Sequence, residues 1–537
     1  MDLLRVETEL IKRLLYPYKW GRKQSDEWDA KTSFIYSTYT FEKLLEKTAL
    51  FDVEIRDYAL NRWYNFWSAE AVENLFSLHE KVTPNINKFD KLIDFTINTT
   101  CFDHKTTVFP KGFNQNVTYA KNNSAELIQW LYLNQSQESR KHLKNRLFVV
   151  LVEKNNEHWK LKAEINLLKS AIDTYVEKFN SDTLIQLNLE NNLILSDLIW
   201  VENLNYMNYI GSKQKLSSFI QTTVNSVVGD DLSQKIFCDL FAGTGIVGRT
   251  FKPIVKKVIS NDLEYYSYVL NKNYIGNHET LDFNSTIQEL NQLEGIEGFI
   301  FNEYSENGNQ NRLYFSEHNG KKIDAIRQQI ENWKTKKSIN SKIYYFLLAS
   351  LLESADKVAN TASVYGAYLK HIKKSAQKNL VLEPAIFSIN DNEHEVFNED
   401  SNLLIKKIEG DILYLDPPYN ARQYGSNYHL LNTIAKYDSF IPKGKTGLRE
   451  YNRSDYCSKT NVRKSFEELM KNANFKYTFL SYNNEGLMSE DEIRTIMSKF
   501  GKYDLVTTHY QRFKADKTEN RNHIASNTTE FLHILEK

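Results

Sequence analysis

The sequence predicts an α/β protein of more than one domain, and three observations carry the prediction. The chain has 537 residues, and a single hydrophobic core stops growing at about 250–300 residues. From residue 235 short strand-like runs alternate with helical spacing, at 235–240, 246–251, 257–261 and 263–272, the order that builds a parallel, doubly wound sheet. The alternation lapses near Gly276, residues 277–395 read as polar and mostly helical, and the strand pattern returns at Asp411-Ile412-Leu413-Tyr414-Leu415. An inserted domain explains the gap.

The elements before the sheet follow in order. Up to about Leu78 apolar spacing is helical, with Ala69, Val72, Phe76 and His79 on one face. Strand-like runs at 91–97 and 147–152 flank a helical pattern at 124–133, which makes a first α/β unit. A helix over about 159–179 and a polar Asn-rich stretch at 190–192 lead to a change of composition near residue 203. The expected divisions are therefore 1–202, 203–276, 277–395 and 396–537.

Composition excludes several classes. With 41% hydrophobic and 25% charged residues, eight prolines and nineteen glycines, the chain is neither disordered, collagen-like nor a disulfide scaffold. Basic and acidic residues balance at 68 each, which gives no global attraction to a polyanion but leaves room for a local basic face. Cys101, Cys238 and Cys457 stand far apart with no CxxC pair, so buried reduced thiols are expected. The longest apolar run, Leu147 to Val152, is far short of the roughly 20 residues that span a bilayer, and the first residues lack a signal-peptide core. A soluble, cytoplasmic protein without a membrane partner is expected.

Two motifs in the second half carry chemistry. Asp239-Leu240-Phe241-Ala242-Gly243-Thr244-Gly245-Ile246-Val247-Gly248 holds a G-x-G-x-x-G between a strand and a helix, where backbone amides can approach a ligand closely. Asp262 ends the next strand 19 residues after Gly243, placed to grip ribose hydroxyls. Together they predict a nucleoside-bearing cofactor. Asp416-Pro417-Pro418-Tyr419 then follows an apolar strand. An exocyclic amine on a purine is a poor nucleophile because its lone pair is delocalised; Asp416 and the Pro417 carbonyl accepting both its hydrogens would localise that pair. Pro417 and Pro418 stiffen the turn, and Tyr419 can stack on the base.

With these residues in hand, positions 203 to 537 resemble the adenine-N6 DNA methyltransferases whose order is cofactor motif, target-recognition insert, catalytic motif. Asn208-Tyr209-Ile210-Gly211-Ser212-Lys213 resembles their amino-terminal motif, Asn398-Glu399-Asp400 their short acidic motif, and Thr528-Thr529-Glu530-Phe531-Leu532 their closing strand. The resemblance implies a class I, Rossmann-like fold of seven strands ending in an antiparallel hairpin, drawn from 503–513 and 529–536. It also implies S-adenosylmethionine held by Tyr209, Gly211, Ser212, Lys213, Asp239, Phe241, Ala242, Gly243, Gly245, Asp262, Asp400 and Asp416. The partner would be double-stranded DNA with a flipped adenine. Basic residues at 443–464, among them Lys443, Lys445, Arg449 and Arg453, together with Lys370 of the insert, are candidate DNA contacts. An NAD-dependent oxidoreductase, the competing reading of the glycine loop, leaves Asp416 to Tyr419 unexplained.

The first half carries Asp94 and, nine residues later, Asp103-His104-Lys105. Two carboxylates and a lysine suit Mg²⁺-dependent phosphodiester cleavage, and the pattern resembles the PD-(D/E)xK nucleases. It differs from their usual form in having Asp before Lys105 and no proline before Asp94. The resemblance implies catalysis by Asp94, Asp103 and Lys105, with Glu73 completing the metal site, and a possible dimer for double-strand cutting. Fused to a methyltransferase, this would be a restriction-modification pair in one chain. The alternative is a solitary methyltransferase with a non-catalytic amino-terminal module.

Overall fold

A computed structural model describes residues 2–14, 16, 27–87, 90, 92–134, 143–153, 157–203, 213, 216–511 and 527–537. The chain divides into two compact units, Met1–Asn205 and Tyr206–Lys537, each with its own sheet.

The first unit holds β1 (Val82–Pro84), β2 (Phe95–Ile97), β3 (Thr100–Val108), β4 (Arg146–Glu153), β5 (Ile185–Leu189) and β6 (Asn192–Asn203), in the order β1-β2-β3-β4-β6-β5. β1, β2 and β3 form an antiparallel meander; β4 runs parallel to β3 and to β6. β4 is buried on both faces because its side chains alternate between two cores. Leu147, Val149 and Leu151 join Phe76 and Phe95 on one side, while Phe148, Val150 and Val152 join Leu127, Leu131 and Tyr132 on the other. The polar stretch at 190–192 is the tip of a β-hairpin. Glu190 and Asn191 take φ of +48° and +64°, as a two-residue turn between right-twisted strands requires.

The second unit is a seven-stranded sheet of β7 (Ile236–Asp239), β8 (Lys257–Asn261), β9 (Glu395–Phe397), β10 (Glu409–Leu415), β11 (Asn474–Asn483), β12 (Lys502–Gln511) and β13 (Asn527–Glu536), ordered β12-β13-β11-β10-β7-β8-β9. The strands from β9 to β11 in this order are mutually parallel, and β13 runs antiparallel to both β11 and β12. From β7 the chain proceeds one way to β8 and β9, and from β10 the other way to β11. That reversal opens a crevice at the carboxyl ends of β7 and β10, where ligands bind in open sheets. Between β8 and β9 the long helices Glu317–Thr335 and Ser341–Lys357 dominate, and among the described residues no strand lies there. The sheet resumes at Glu395, ahead of the apolar run at Asp411, in a strand of three residues that is too short to leave an alternation pattern. No described helix is long and apolar enough to cross a membrane. Cys238 and Cys457 are buried, but Cys101 is exposed; on β3 its neighbour Phe102 takes the buried face, which corrects the expectation of three buried thiols.

Candidate active site

The crevice is an open cleft lined by residues from both ends of the second unit, including Lys213, Asp239 to Thr244, Asp262, Glu264, Asp400, Asp416, Pro418 and Tyr424. The glycine loop builds its floor. Gly243 and Gly245 take φ of +52° and +78°, a region costly for other residues. At Gly245 a Cβ would fall 2.5 Å from Asn271 Oδ1. Asn271 is fixed there by donating from Nδ2 to the Gly243 carbonyl at 3.0 Å and accepting from Ser260 Oγ at 2.8 Å. The loop is therefore held open by polar contacts beneath it.

Six acids line the cleft, and four of them sit in different environments. Asp239 accepts from the Gly248 amide at 3.0 Å through Oδ2, while its buried Oδ1 has no hydrogen-bond partner among the described residues. Burial, reinforced by the charges of Asp416 and Asp262, pushes its carboxyl up to about 8. Asp262 accepts from the Gly243 amide and the Glu264 amide, both at 2.8 Å, yet burial outweighs these bonds and raises it to about 6. Asp416 follows β10; Lys213 Nζ lies 3.1 Å from its Oδ1, and burial lifts it to about 6 against that lysine. Glu264, pushed by burial to about 7, accepts from Asn432 Nδ2 at 2.6 Å. The motifs gave no sign of Glu264. Its signal was only an acid three residues beyond the strand's end, which also describes countless surface helix starts.

Such a cleft fits a cationic ligand, since acids that outnumber their counter-ions stabilise positive charge and repel a pyrophosphate. S-adenosylmethionine, with an ammonium and a sulfonium, matches that chemistry, and NAD does not. Asp400, also on the cleft wall, caps the short helix Ser401–Leu404 by accepting from the Asn402 and Leu403 amides at 2.9 and 3.1 Å. Phe241 packs edge-on to Tyr456 with ring centroids 4.9 Å apart. Tyr419 stands beside Lys213, whose Nζ lies 5.4 Å from the ring centroid, and edge-on to Tyr482.

Comparison with known families matches residues 209–496 to the D12 class of N6 adenine-specific DNA methyltransferases. The chain belongs to this family. It is 64% identical over 332 residues to the type II methyltransferase M.NlaIII of Neisseria lactamica, an alignment covering 62% of this chain and 99% of that protein. It is 42% identical over 318 residues to M.CviAII of Paramecium bursaria Chlorella virus 1, covering 58% and 94%, and 40% identical over 347 residues to M.FokI of Planomicrobium okeanokoites, covering 62% and 53%.

Within this D12-class chain the sequence candidates meet different fates. Asp239, Phe241, Ala242, Gly243, Asp262, Asp400, Asp416 and Lys213 line one cleft with Pro418. Tyr209, Gly211 and Ser212 lie outside the described residues. Among the candidate DNA contacts, Lys443, Lys445, Arg453 and Lys370 are exposed, and Lys443 pairs with Glu450 at 2.9 Å. Arg449 does not join them. It is 7% exposed and forks onto both oxygens of Asp438 at 3.0 and 2.8 Å, so it anchors its loop and has no face for a phosphate. Alternation along an irregular loop is invisible in sequence, which is why one of the cations turned inward unannounced.

In the first unit the β2–β3 hairpin pairs Phe95 with Phe102, bringing the backbones of Asp94 and Asp103 side by side. Their carboxylates are otherwise engaged. Asp94 accepts from the His104 amide at 2.8 Å and lies 2.7 Å from its Nδ1, beside Phe76 and Phe95. Asp103 pairs with Arg146 Nε, and that guanidinium lies 5.6 Å from the Tyr132 ring in the opposite core. Glu73 acts on His104 through its charge. Among the described residues no group of three His, Cys, Asp or Glu side chains could hold a metal ion. The expected Mg²⁺ site of Asp94, Asp103 and Glu73 with Lys105 is thus not assembled, because adjacent strand residues point to opposite faces and each acid there has found a cation.

Proposed function

We propose that this chain methylates N6 of an adenine flipped out of a specific double-stranded DNA site, using S-adenosylmethionine, and that its first unit is a non-catalytic DNA- or partner-binding module. The observation that carries the first part is the half-buried carboxylate of Asp416, at the head of a rigid Pro-Pro turn and on the wall of an acid-lined cleft. Bound S-adenosylmethionine supplies an electrophilic methyl group.

The chain's residues do the rest. Asp239, Asp262 and Asp400 hold and orient the cofactor, while Asp416 and the Pro417 carbonyl accept the two hydrogens of the target amine and restore its lone pair. Tyr419 stacks on the flipped base, a contact worth about 1–3 kcal/mol. Exposed Lys443, Lys445, Arg453 and Lys370 contact phosphates. Mapping methylated adenines in DNA exposed to the protein and S-adenosylmethionine tests this directly: one recurrent sequence context is expected, and unmodified DNA would refute it.

For the first unit, the family match begins at residue 209, and the acids of the nuclease-like motif are paired internally. Without a nuclease, the expectation of a cleaving dimer has no basis. The purified chain should leave unmethylated DNA uncut in Mg²⁺, with or without S-adenosylmethionine. Cutting that vanishes in Lys105→Ala would restore the fused-nuclease reading.

A further inference from the structure

Lys213 has a second acidic neighbour besides Asp416. Its Nζ lies 2.9 Å from Glu530 Oε1, and the lysine and glutamate side chains are 5% and 7% exposed. Glu530 sits on β13 opposite Asn483 of β11 and Thr508 of β12, far along the chain from the Asp-Pro-Pro-Tyr turn. One buried ammonium thus lies between the buried carboxylate of Glu530 and the half-buried one of Asp416, giving the three groups one net negative charge. Lys213 with Glu530 alone would have formed a self-sufficient pair, and burying a further charge is costly unless it serves something.

We propose that Glu530 is a positioning residue for methyl transfer: through Lys213 it keeps Asp416 aimed at the target amine and gives the group a net negative charge where the amine becomes cationic. The inference rests on the adenine-amine reading of the cleft. When the N6 lone pair takes the methyl group, the carbon–sulfur bond breaks with its electron pair left on the departing thioether, and N6 becomes an ammonium; it then releases one proton to Asp416, the N–H electron pair staying on nitrogen. Asp416 with Lys213 alone would be a neutral pair with little hold on that cation. Glu530, itself buried, restores the missing charge where fixed charge acts strongly.

The other groups around Asp416 do not duplicate this. Asp239 on β7 faces it and is itself pushed up by burial to about 8, so it is largely neutral at physiological pH. Tyr414 on β10 and Tyr424 feel its charge and are themselves held as neutral phenols by burial. Burial raises Asp416, Lys213 pulls it down and Glu530 pushes it up, so removing either partner moves Asp416 in a different direction.

That opposition is the test. Single-turnover methyl transfer to DNA lacking adenine methylation is measured against pH, with S-adenosylmethionine binding followed by calorimetry. Glu530→Gln should slow transfer roughly 10–100-fold, the usual cost of losing an outer partner of a reacting group, without weakening cofactor binding. Its acid limb should move to lower pH, because the charge that raises Asp416 is gone. Lys213→Met should move the limb to higher pH, and Glu530→Asp should recover part of the rate. A Glu530→Gln protein with wild-type rate and an unmoved limb overturns the proposal, and it decides alone if Lys213→Met fails to fold. A wild-type chain that methylates no adenine instead removes the reading on which the proposal stands.

Discussion

The cleft at the sheet reversal and the β2–β3 hairpin both gather acids from short motifs, yet they reach opposite electrostatic states. In the cleft, burial raises Asp239, Asp262 and Asp416 well above the usual carboxylate range. In the hairpin, burial of Asp94 is outweighed by His104, which holds it below that range. The first set is under tension that a cationic ligand would relieve. The second is already satisfied. A carboxylate cluster therefore reads as a binding site when the fold leaves its charge uncompensated, and as structure when the fold supplies the counter-charge.

The largest expected effect separates the two regions outright. Asp416→Ala should lower single-turnover methyl transfer by about 10²–10³-fold or more, as removal of a preorganised electrostatic partner does, while cofactor binding persists. Lys105→Ala should leave methyl transfer unchanged. Appreciable activity in Asp416→Ala would dissolve the contrast by making the cleft's central acid dispensable.

Next in size, Tyr419→Ala should cost about 1–3 kcal/mol of binding to DNA with a flipped or mismatched target base, and Tyr419→Phe little, since stacking needs the ring. Equal losses in the two variants would transfer the role to the hydroxyl. Gly245→Ala should weaken S-adenosylmethionine binding about tenfold by calorimetry: a left-handed backbone costs about 1–2 kcal/mol for an alanine, and its Cβ would press on Asn271. Unchanged affinity would mean that the loop does not set the cofactor's seat.

The two regions also differ in how much their sequences disclosed. Asp239 to Gly248, Asp262 and the Asp416 turn were legible because glycine and proline mark backbone shapes with few other uses, and each follows an apolar strand. Lys213 was legible only by resemblance, and the Lys213–Glu530 contact not at all, since a strand pairing across the sheet brings it about. The apolar pattern announced no strand at 100–108, so the pairing that brings Asp94 beside Asp103 was not foreseen. What spacing could not give was the direction of each carboxylate, which Arg146 and His104 decided from other elements. β5 and β6 were missed because their turn, Glu190-Asn191, is polar and lacks glycine.

The smallest expected effect probes whether the hairpin acids are truly satisfied. Burial disfavours the charged His104 imidazole, but Asp94 outweighs it and holds the imidazole above its ordinary 6.5; Asp94 in turn sits below its ordinary 3.8. A raised histidine stabilises the fold fully below 6.5 and loses that contribution as pH rises through its folded value. A lowered aspartate stabilises it above 3.8 and loses that contribution as pH falls through its folded value. Both contributions are complete only between these limits. Asp94→Asn keeps an acceptor for the His104 amide and removes only the charge, so it should cost about 1 kcal/mol there, with the deficit shrinking on either side. Amide hydrogen exchange along β3, variant against wild type at each pH, measures it. A deficit independent of pH would mean that His104 is not the partner that matters, and a rise in wild-type β3 protection on adding Mg²⁺ would mean that the acids still await a metal.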